Sequence, residues 1–185
     1  LMLVTMGVAL MATQGLPSRV PPNVLALDKA RWPVIPYKEC DGKPVSMERH
    51  GCRIGADGAS RMTLVWGDSW AIAWAPAMDE ILKREGRSGI LAVRSACAPL
   101  PDVYNTKSPT CLERNAQVLE WIKQNRPERI YLIAAWQAWT NAVGAYPLED
   151  RAGASGAQPN GRIFAVAYPR TLLAIKPYVK EIIVL

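Results

Sequence analysis

Gly67-Asp68-Ser69-Trp70 is the place in these 185 residues where residue types and spacing suggest covalent chemistry. It lies between an apolar run, Met62 to Trp66 (MTLVW), and a stretch with helical spacing, Ala71 to Arg84. A serine there stands at the start of a helix, at the carboxyl edge of a strand. Free amides and the helix dipole favour negative charge at that point, so an oxyanion formed on Ser69 would be stabilised. Gly67 lets the chain turn without a side-chain clash, and Asp68 can bond the loop amides. Asp and Ser also cap helices well, so a plain helix start is the competing reading. A Gly-Asp-Ser tripeptide arises by chance in about one chain in twenty of this length. Its position after the first core strand makes it informative.

Other chemistry is sparsely supplied. His50 is the one histidine. It lies between Glu48 and Cys52 and reads as a surface-loop residue rather than a base. The four cysteines fall into near-sequence pairs, Cys40 with Cys52 and Cys97 with Cys111. Four cysteines allow three connectivities. Two local disulfides formed in an oxidising compartment fit this spacing, and four buried or free thiols fit it too. There is no C-x-x-C, so no metal site is expected.

The elements that must position Ser69 emerge from pattern. Ile72, Ala75, Met78, Ile81 and Leu82 share one side of the helix over 71–84. Gly86 and Gly89 close it, and Ile90 to Val93 is a second strand. Cys111 to Gln124 reads as a helix with Leu112, Val118, Leu119 and Ile122 inward. Arg129 to Trp136, containing YLIAAW, reads as a third strand. Residues 144–161 read as a surface loop. Residues 163–179 are mostly helical in pattern, with Pro169 and Pro177 near helix ends. Glu181 to Leu185 is a fourth strand. This alternation predicts an α/β protein: three layers, α/β/α, around a parallel sheet. Ligands in such sheets bind beyond the carboxyl ends of the strands.

Residues 1–15 begin with twelve uncharged, mostly apolar positions, too few to span a bilayer. They read as the end of a transmembrane helix, and with Leu1 first, the chain is expected to begin inside a longer reading frame. Residues 16–60, rich in Pro and Gly, read as a linker ending in a cysteine-closed loop. Residues 61–185 form the α/β domain. Half of the residues are hydrophobic and 21% are charged, with Lys plus Arg 22 against Asp plus Glu 16, a net charge of +6. Disordered and fibrous classes are excluded. No basic helix or aromatic-basic stripe appears, so nucleic acid is not an expected partner.

V-W-G-D-S-W resembles the first signature block of the SGNH hydrolases, in which a Gly-Asp-Ser loop supplies the nucleophile. More particularly, the chain resembles the extracytoplasmic SGNH domains fused to acyltransferase-3 membrane proteins. The features that match are Cys40, Cys52, Ile54 and Gly55 before the motif, Cys97-x-Pro99-Leu100-Pro101 after the second strand, Cys111, and Ala134-Ala135-Trp136. Gly15-Leu16-Pro17 looks like the exit from a last transmembrane helix.

The resemblance implies a flavodoxin-like α/β fold and O-acyl transfer, usually of acetyl, to a cell-envelope glycan. Lipopolysaccharide, peptidoglycan or an exopolysaccharide would be the acceptor. Ser69 would be the nucleophile, with Gly67, Asp68 and Ser69 shaping the oxyanion turn. The domain itself would bind no cofactor; a preceding membrane part would handle an acetyl-CoA-derived donor, at the periplasmic side of a bacterial inner membrane. The family's D-x-x-H motif has no counterpart here, so a fold incomplete at the C-terminus and an inert isolated chain are expected. The G-x-N-D block is also unmatched. Gln137 offers the right kind of amide for an oxyanion, and Asn115 reads as structural. Most tryptophans (Trp66, Trp74, Trp121, Trp136, Trp139) read as core. Trp70 and Trp136 lie near the expected mouth, where an aromatic face can stack on a sugar. A serine esterase of the same fold and a non-catalytic envelope-binding domain are the alternatives.

Overall fold

Unbroken apolar runs build the centre of the fold. In the computed structural model, which describes residues 2–12, 20–30, 35–46, 52–140, 147–151 and 159–185, these runs become the strands of a five-stranded sheet. The strands are β1 (Arg53–Gly55), β2 (Met62–Gly67), β3 (Ser88–Val93), β5 (Arg129–Ile133) and β7 (Glu181–Val184). Their order is β1-β3-β2-β5-β7, and β2, β3, β5 and β7 are parallel. β1 pairs antiparallel with β3, so the sheet is mixed rather than wholly parallel. A short edge strand can run either way because it needs no crossover helix.

Side chains alternate across the sheet as strand geometry requires. Val65, Leu91, Val93, Tyr131 and Ile133 face α3 (Ser69–Arg84), which buries Ala71, Ile72, Ala75, Met78 and Leu82 against them. Leu64, Trp66, Ile90, Ala92, Ile130 and Leu132 face the other way, onto Val118, Trp121 and Ile122 of α4 (Thr110–Asn125) and Ile175 of α6 (Asn160–Ile175). The result is the expected three-layer α/β/α arrangement. Ile81 and Trp74, for which the sequence predicts inward positions, stand 37% and 43% exposed. The α3 stripe is narrower than the count of its apolar residues suggests.

A third cluster covers the carboxyl edge: Ala98, Leu100, Val103, Ala134, Trp139, Leu148, Ile163 and Ala167. It is framed by a separate antiparallel pair, β4 (Val103–Asn105) and β6 (Leu148–Asp150), and by a one-turn helix, α5 (Trp136–Thr140). These three elements lie where the sequence indicates loop or strand. β5 ends at Ile133 rather than Trp136, because the backbone turns into α5 there. Pro169 sits inside α6, where burial of Asn160, Ile163, Ala167, Thr171 and Ile175 holds the helix across the lost hydrogen bond.

Residues 1–35 and 36–185 form two separate units. The first contains α1 (Met2–Ala12) and α2 (Pro22–Ala30). α1 carries no charge, and among the described residues no helix is long and apolar enough to cross a membrane. Gly15, Leu16 and Pro17 lie outside the described residues. Residues 36–60, which the sequence places within the linker, contribute β1 and the buried Cys40 to the second unit.

Both local disulfides are present, Cys40–Cys52 and Cys97–Cys111, with sequence separations of 12 and 14. Loops of this size restrict the unfolded chain by about 3 kcal/mol each. The Cys97→Ser/Cys111→Ser double variant should therefore lose about 3 kcal/mol of unfolding free energy in urea; no loss would mean the crosslink constrains nothing. β1 is also tied to α3 through Asp79, whose Oδ1 accepts from the Gly55 amide at 2.7 Å and whose Oδ2 accepts from Lys83 Nζ at 2.7 Å. Burial pushes the Asp79 carboxyl up, but hydrogen bonds from Lys83, the Gly55 amide and Tyr37 outweigh it and hold it below its ordinary value. A depressed folded pKa stabilises above the unfolded value near ~4 and is lost as pH falls through the folded one. Asp79→Asn should lower stability by about 1–3 kcal/mol at neutral pH. A pH series of unfolding curves should show that gap closing in acid, and a constant gap would refute the role given to the charge.

Candidate functional site

β2 and β5 run side by side to their carboxyl ends, where Gly67 pairs with Ile133. The backbones come so close that a Cβ on Gly67 would lie 1.8 Å from the Ile133 carbonyl oxygen and 2.8 Å from Ala71 Cβ. Only a glycine fits. The next residue, Asp68, caps α3 from an extended conformation. The residue is 1% exposed, and both carboxylate oxygens accept hydrogen bonds. Oδ1 accepts from the Trp70 amide at 2.8 Å. Oδ2 accepts from the Ala135 amide at 2.9 Å and from Trp139 Nε1 at 2.7 Å. Asp68 thus joins the start of α3 to the β5–α5 turn.

Ser69 comes next, on the first turn of α3, and is exposed. The Trp70 and Ala71 amides are already spent on Asp68, through Oδ1 and through its carbonyl at 3.1 Å. Among the described residues the Ser69 amide has no protein partner. It can therefore donate to negative charge developing on a group attached to Ser69 Oγ. The turn both caps the helix and presents a hydroxyl, so the two readings of the sequence describe one geometry.

The loop after β3 closes the neighbouring side. The Arg94 amide donates to the Gly67 carbonyl at 3.0 Å, the Ser95 amide to Asp41 Oδ1 at 2.8 Å and the Cys97 amide to the Arg94 carbonyl at 3.1 Å. Ala96 holds a left-handed backbone, φ 58°. Asn115 anchors the next stretch of this loop. Its Nδ2 donates to the Ala98 and Leu100 carbonyls at 2.8 and 3.0 Å, and its Oδ1 accepts from Trp66 Nε1 at 3.2 Å. That is a structural use of a buried amide.

The remaining expected residues are spread about this edge. Trp70 is 56% exposed beside Ser69. Trp136 is half-buried and packs edge-on against Phe164 and Tyr168 at 5.9 and 5.6 Å, while its Nε1 donates to the Leu185 carbonyl at 2.6 Å. Gln137 is exposed on α5. His50 lies outside the described residues. Among the described residues no cluster of His, Cys, Asp and Glu could hold a metal. A cleft of about 470 Å³, lined by Arg61, Asn125, Glu128 and Tyr178 among others, opens at the amino edge of the strands, away from Ser69. Trp139 and the Ala135 amide, which complete the Asp68 site, leave no signal in local pattern. Arg114 does leave one: it lies in the stripe Cys111, Asn115, Val118, Ile122 that α4 turns inward.

A family model described as the SGNH domain (fused to AT3 domains) matches residues 39–185. No curated protein matches the chain, and no solved structure does. The match starts just before the buried Cys40 and takes in the whole sheet, the Gly-Asp-Ser turn and the covering cluster at its carboxyl edge. The chain therefore belongs to the family of SGNH domains fused to AT3 domains.

Proposed function

We propose that this domain is the acyl-transferring part of an envelope O-acyltransferase, with Ser69 as nucleophile and a glycan hydroxyl as acceptor. The family carries hydrolase-like, acyl-related chemistry alongside an AT3 domain in a membrane-associated protein. The observation that carries the reading further is the exposed Ser69, set on a helix N-terminus by a buried Asp68 that is hydrogen-bonded through both oxygens. In the first step Ser69 Oγ attacks the acyl carbonyl, its proton passes through a base to the departing donor group, and the acyl–donor bond breaks. The Ser69 amide faces the oxyanion. In the second step the sugar hydroxyl attacks the acyl-serine, its proton passes through the base to Oγ, and the Oγ–carbonyl bond breaks. Acetyl is the simplest acyl group for this scheme. Trp70, exposed beside Ser69, offers a face for the sugar.

The test is reaction of the complete polypeptide carrying these residues with a fluorophosphonate, read by peptide mass spectrometry. The expected result is one adduct on Ser69, absent in Ser69→Ala. Lack of any adduct would favour a binding domain whose turn only starts a helix. Acyl release to water at the same rate with and without a glycan acceptor would favour an esterase.

A second variant addresses the support beneath the nucleophile. Asp68→Asn leaves at least one of three N–H donors without an acceptor, at about 1–3 kcal/mol of stability. Unfolding in urea should show that loss, and Ser69 labelling should slow with it. Unchanged stability and labelling would mean that Asp68 does not hold the turn.

A further inference from the structure

α4 buries an arginine that nothing among the described residues neutralises by contact. Arg114 is 7% exposed, and its Nε, Nη1 and Nη2 have no hydrogen-bond partner there. A buried charge is normally paired, because leaving it unpaired costs several kcal/mol. Burial chiefly, and then the like charge of Arg94, pull the Arg114 pKa down to about 10, with Asp41 opposing. The side chain is therefore still cationic at neutral pH. Asp41 acts on it only at a distance, since no Arg114 nitrogen has a hydrogen-bond partner among the described residues.

Arg114 lines a cleft of about 240 Å³ together with Gly42, Arg94, Thr110, Glu113 and Gln117. The Arg94 guanidinium, the Thr110 hydroxyl and the Gln117 amide thus meet in one space, with the Arg114 guanidinium buried in its wall. The one carboxylate on its rim, Glu113, is exposed and accepts from Gln117 at 3.1 Å. The Arg94 side chain runs so close over Gly42 that a Cβ there would lie 2.3 Å from Nη1, and the Gly42 amide donates a hydrogen bond to the Val93 carbonyl at 2.9 Å. Arg94 directly succeeds β3 and its amide donates to Gly67, so the cleft opens on the same edge of the sheet as Ser69. The alternation of β3, with Ile90 and Ala92 on the α4 side, turns Arg94 toward α4.

We propose that this cleft is an oxyanion site, in which Arg114 and Arg94 bind a single phosphate or carboxylate group. Planar guanidiniums match such groups with paired N–H···O bonds. On binding, the Arg114 side chain turns out of the wall toward the anion, which supplies the acceptors it lacks. The anion has two sources. It is either an acidic sugar of the glycan acceptor, a choice that rests on the acyltransferase reading, or a free inorganic ion, which is independent of it.

The experiment is isothermal titration of the complete polypeptide with inorganic phosphate at constant ionic strength, then with glucuronate and glucose. Saturable phosphate binding is expected, weakened at least tenfold in Arg94→Gln and abolished in Arg114→Met. Should Arg114→Met not fold, Arg94→Gln carries the result, because its side chain is only partly buried. Glucuronate displacing phosphate, with glucose inert, would identify the acidic sugar; phosphate alone binding would identify the free ion. No saturable binding of either anion, or binding unchanged in Arg94→Gln and Arg114→Met, would overturn the proposal. Ser69→Ala should bind phosphate like the unsubstituted protein, so an unreactive Ser69 and an empty anion site are separable outcomes.

Discussion

A carboxylate removed from water must be met by donors, and the way Asp68 is met organises the edge of this domain. Its three N–H partners come from α3, from the β5–α5 turn and from α5. Charge-assisted bonds of this kind are about twice as strong as neutral ones. They also come as a set, since losing one donor leaves the charge under-solvated. Ser69 is adjacent in sequence and has no bonding duty of its own among the described residues. Its position is inherited from Asp68 below it and from the Gly67–Ile133 approach before it. Nothing wider than a hydrogen side chain fits at 67, so the depth at which the strand delivers the serine is set by backbone contact.

A second constraint fixes the neighbouring loop with different means. The strand pair β2–β3 ends in the Arg94–Gly67 bond, and the chain beyond it is held by Cys97–Cys111 and by Asn115. Both anchors stand on the first turns of α4, so this helix governs the loop as Asp68 governs the serine turn. Trp66 links the two, because its ring lies in the core beneath β2 and its Nε1 donates to Asn115. A shift of α4 would therefore reach the β2 edge through a side chain one residue before Gly67.

The central elements are legible in the sequence because burial leaves a periodic trace. MTLVW reads as a strand since both faces of an interior strand must be apolar, EIIVL reads as one from its apolar run although β7 is a half-buried edge strand, and α3 shows its stripe at Ile72, Ala75 and Met78. β1, β4 and β6 are three residues each, too short to express a period of two. The partners across the ladder, not local propensity, make them strands. YLIAAW reads as one strand because apolar character does not tell where a backbone bends into a helix. The Gly-Asp-Ser turn is visible in the sequence, but half of its support is not. Trp139 reaches Asp68 across 71 positions, and no local pattern carries a contact of that range.

The two edges of the sheet treat positive charge differently. At the amino edge Arg87 meets Glu128 at 2.9 Å and Glu85 at 3.2 Å, and Arg129 meets Glu85 at 2.7 Å. These charges are paired within the fold, although Arg87 Nε lacks a hydrogen-bond partner among the described residues. At the carboxyl edge Arg114 is left without an acceptor among the described residues, Arg94 stands beside it, and the helix beginning at Ser69 adds its own positive end. A chain that pairs its arginines on one side has the means to pair them on the other. An unanswered charge there lowers stability, and its retention makes sense where a ligand supplies the missing anion. The same edge would then gather negative charge twice, transiently as the oxyanion on the acyl group and persistently as the group held by Arg94 and Arg114.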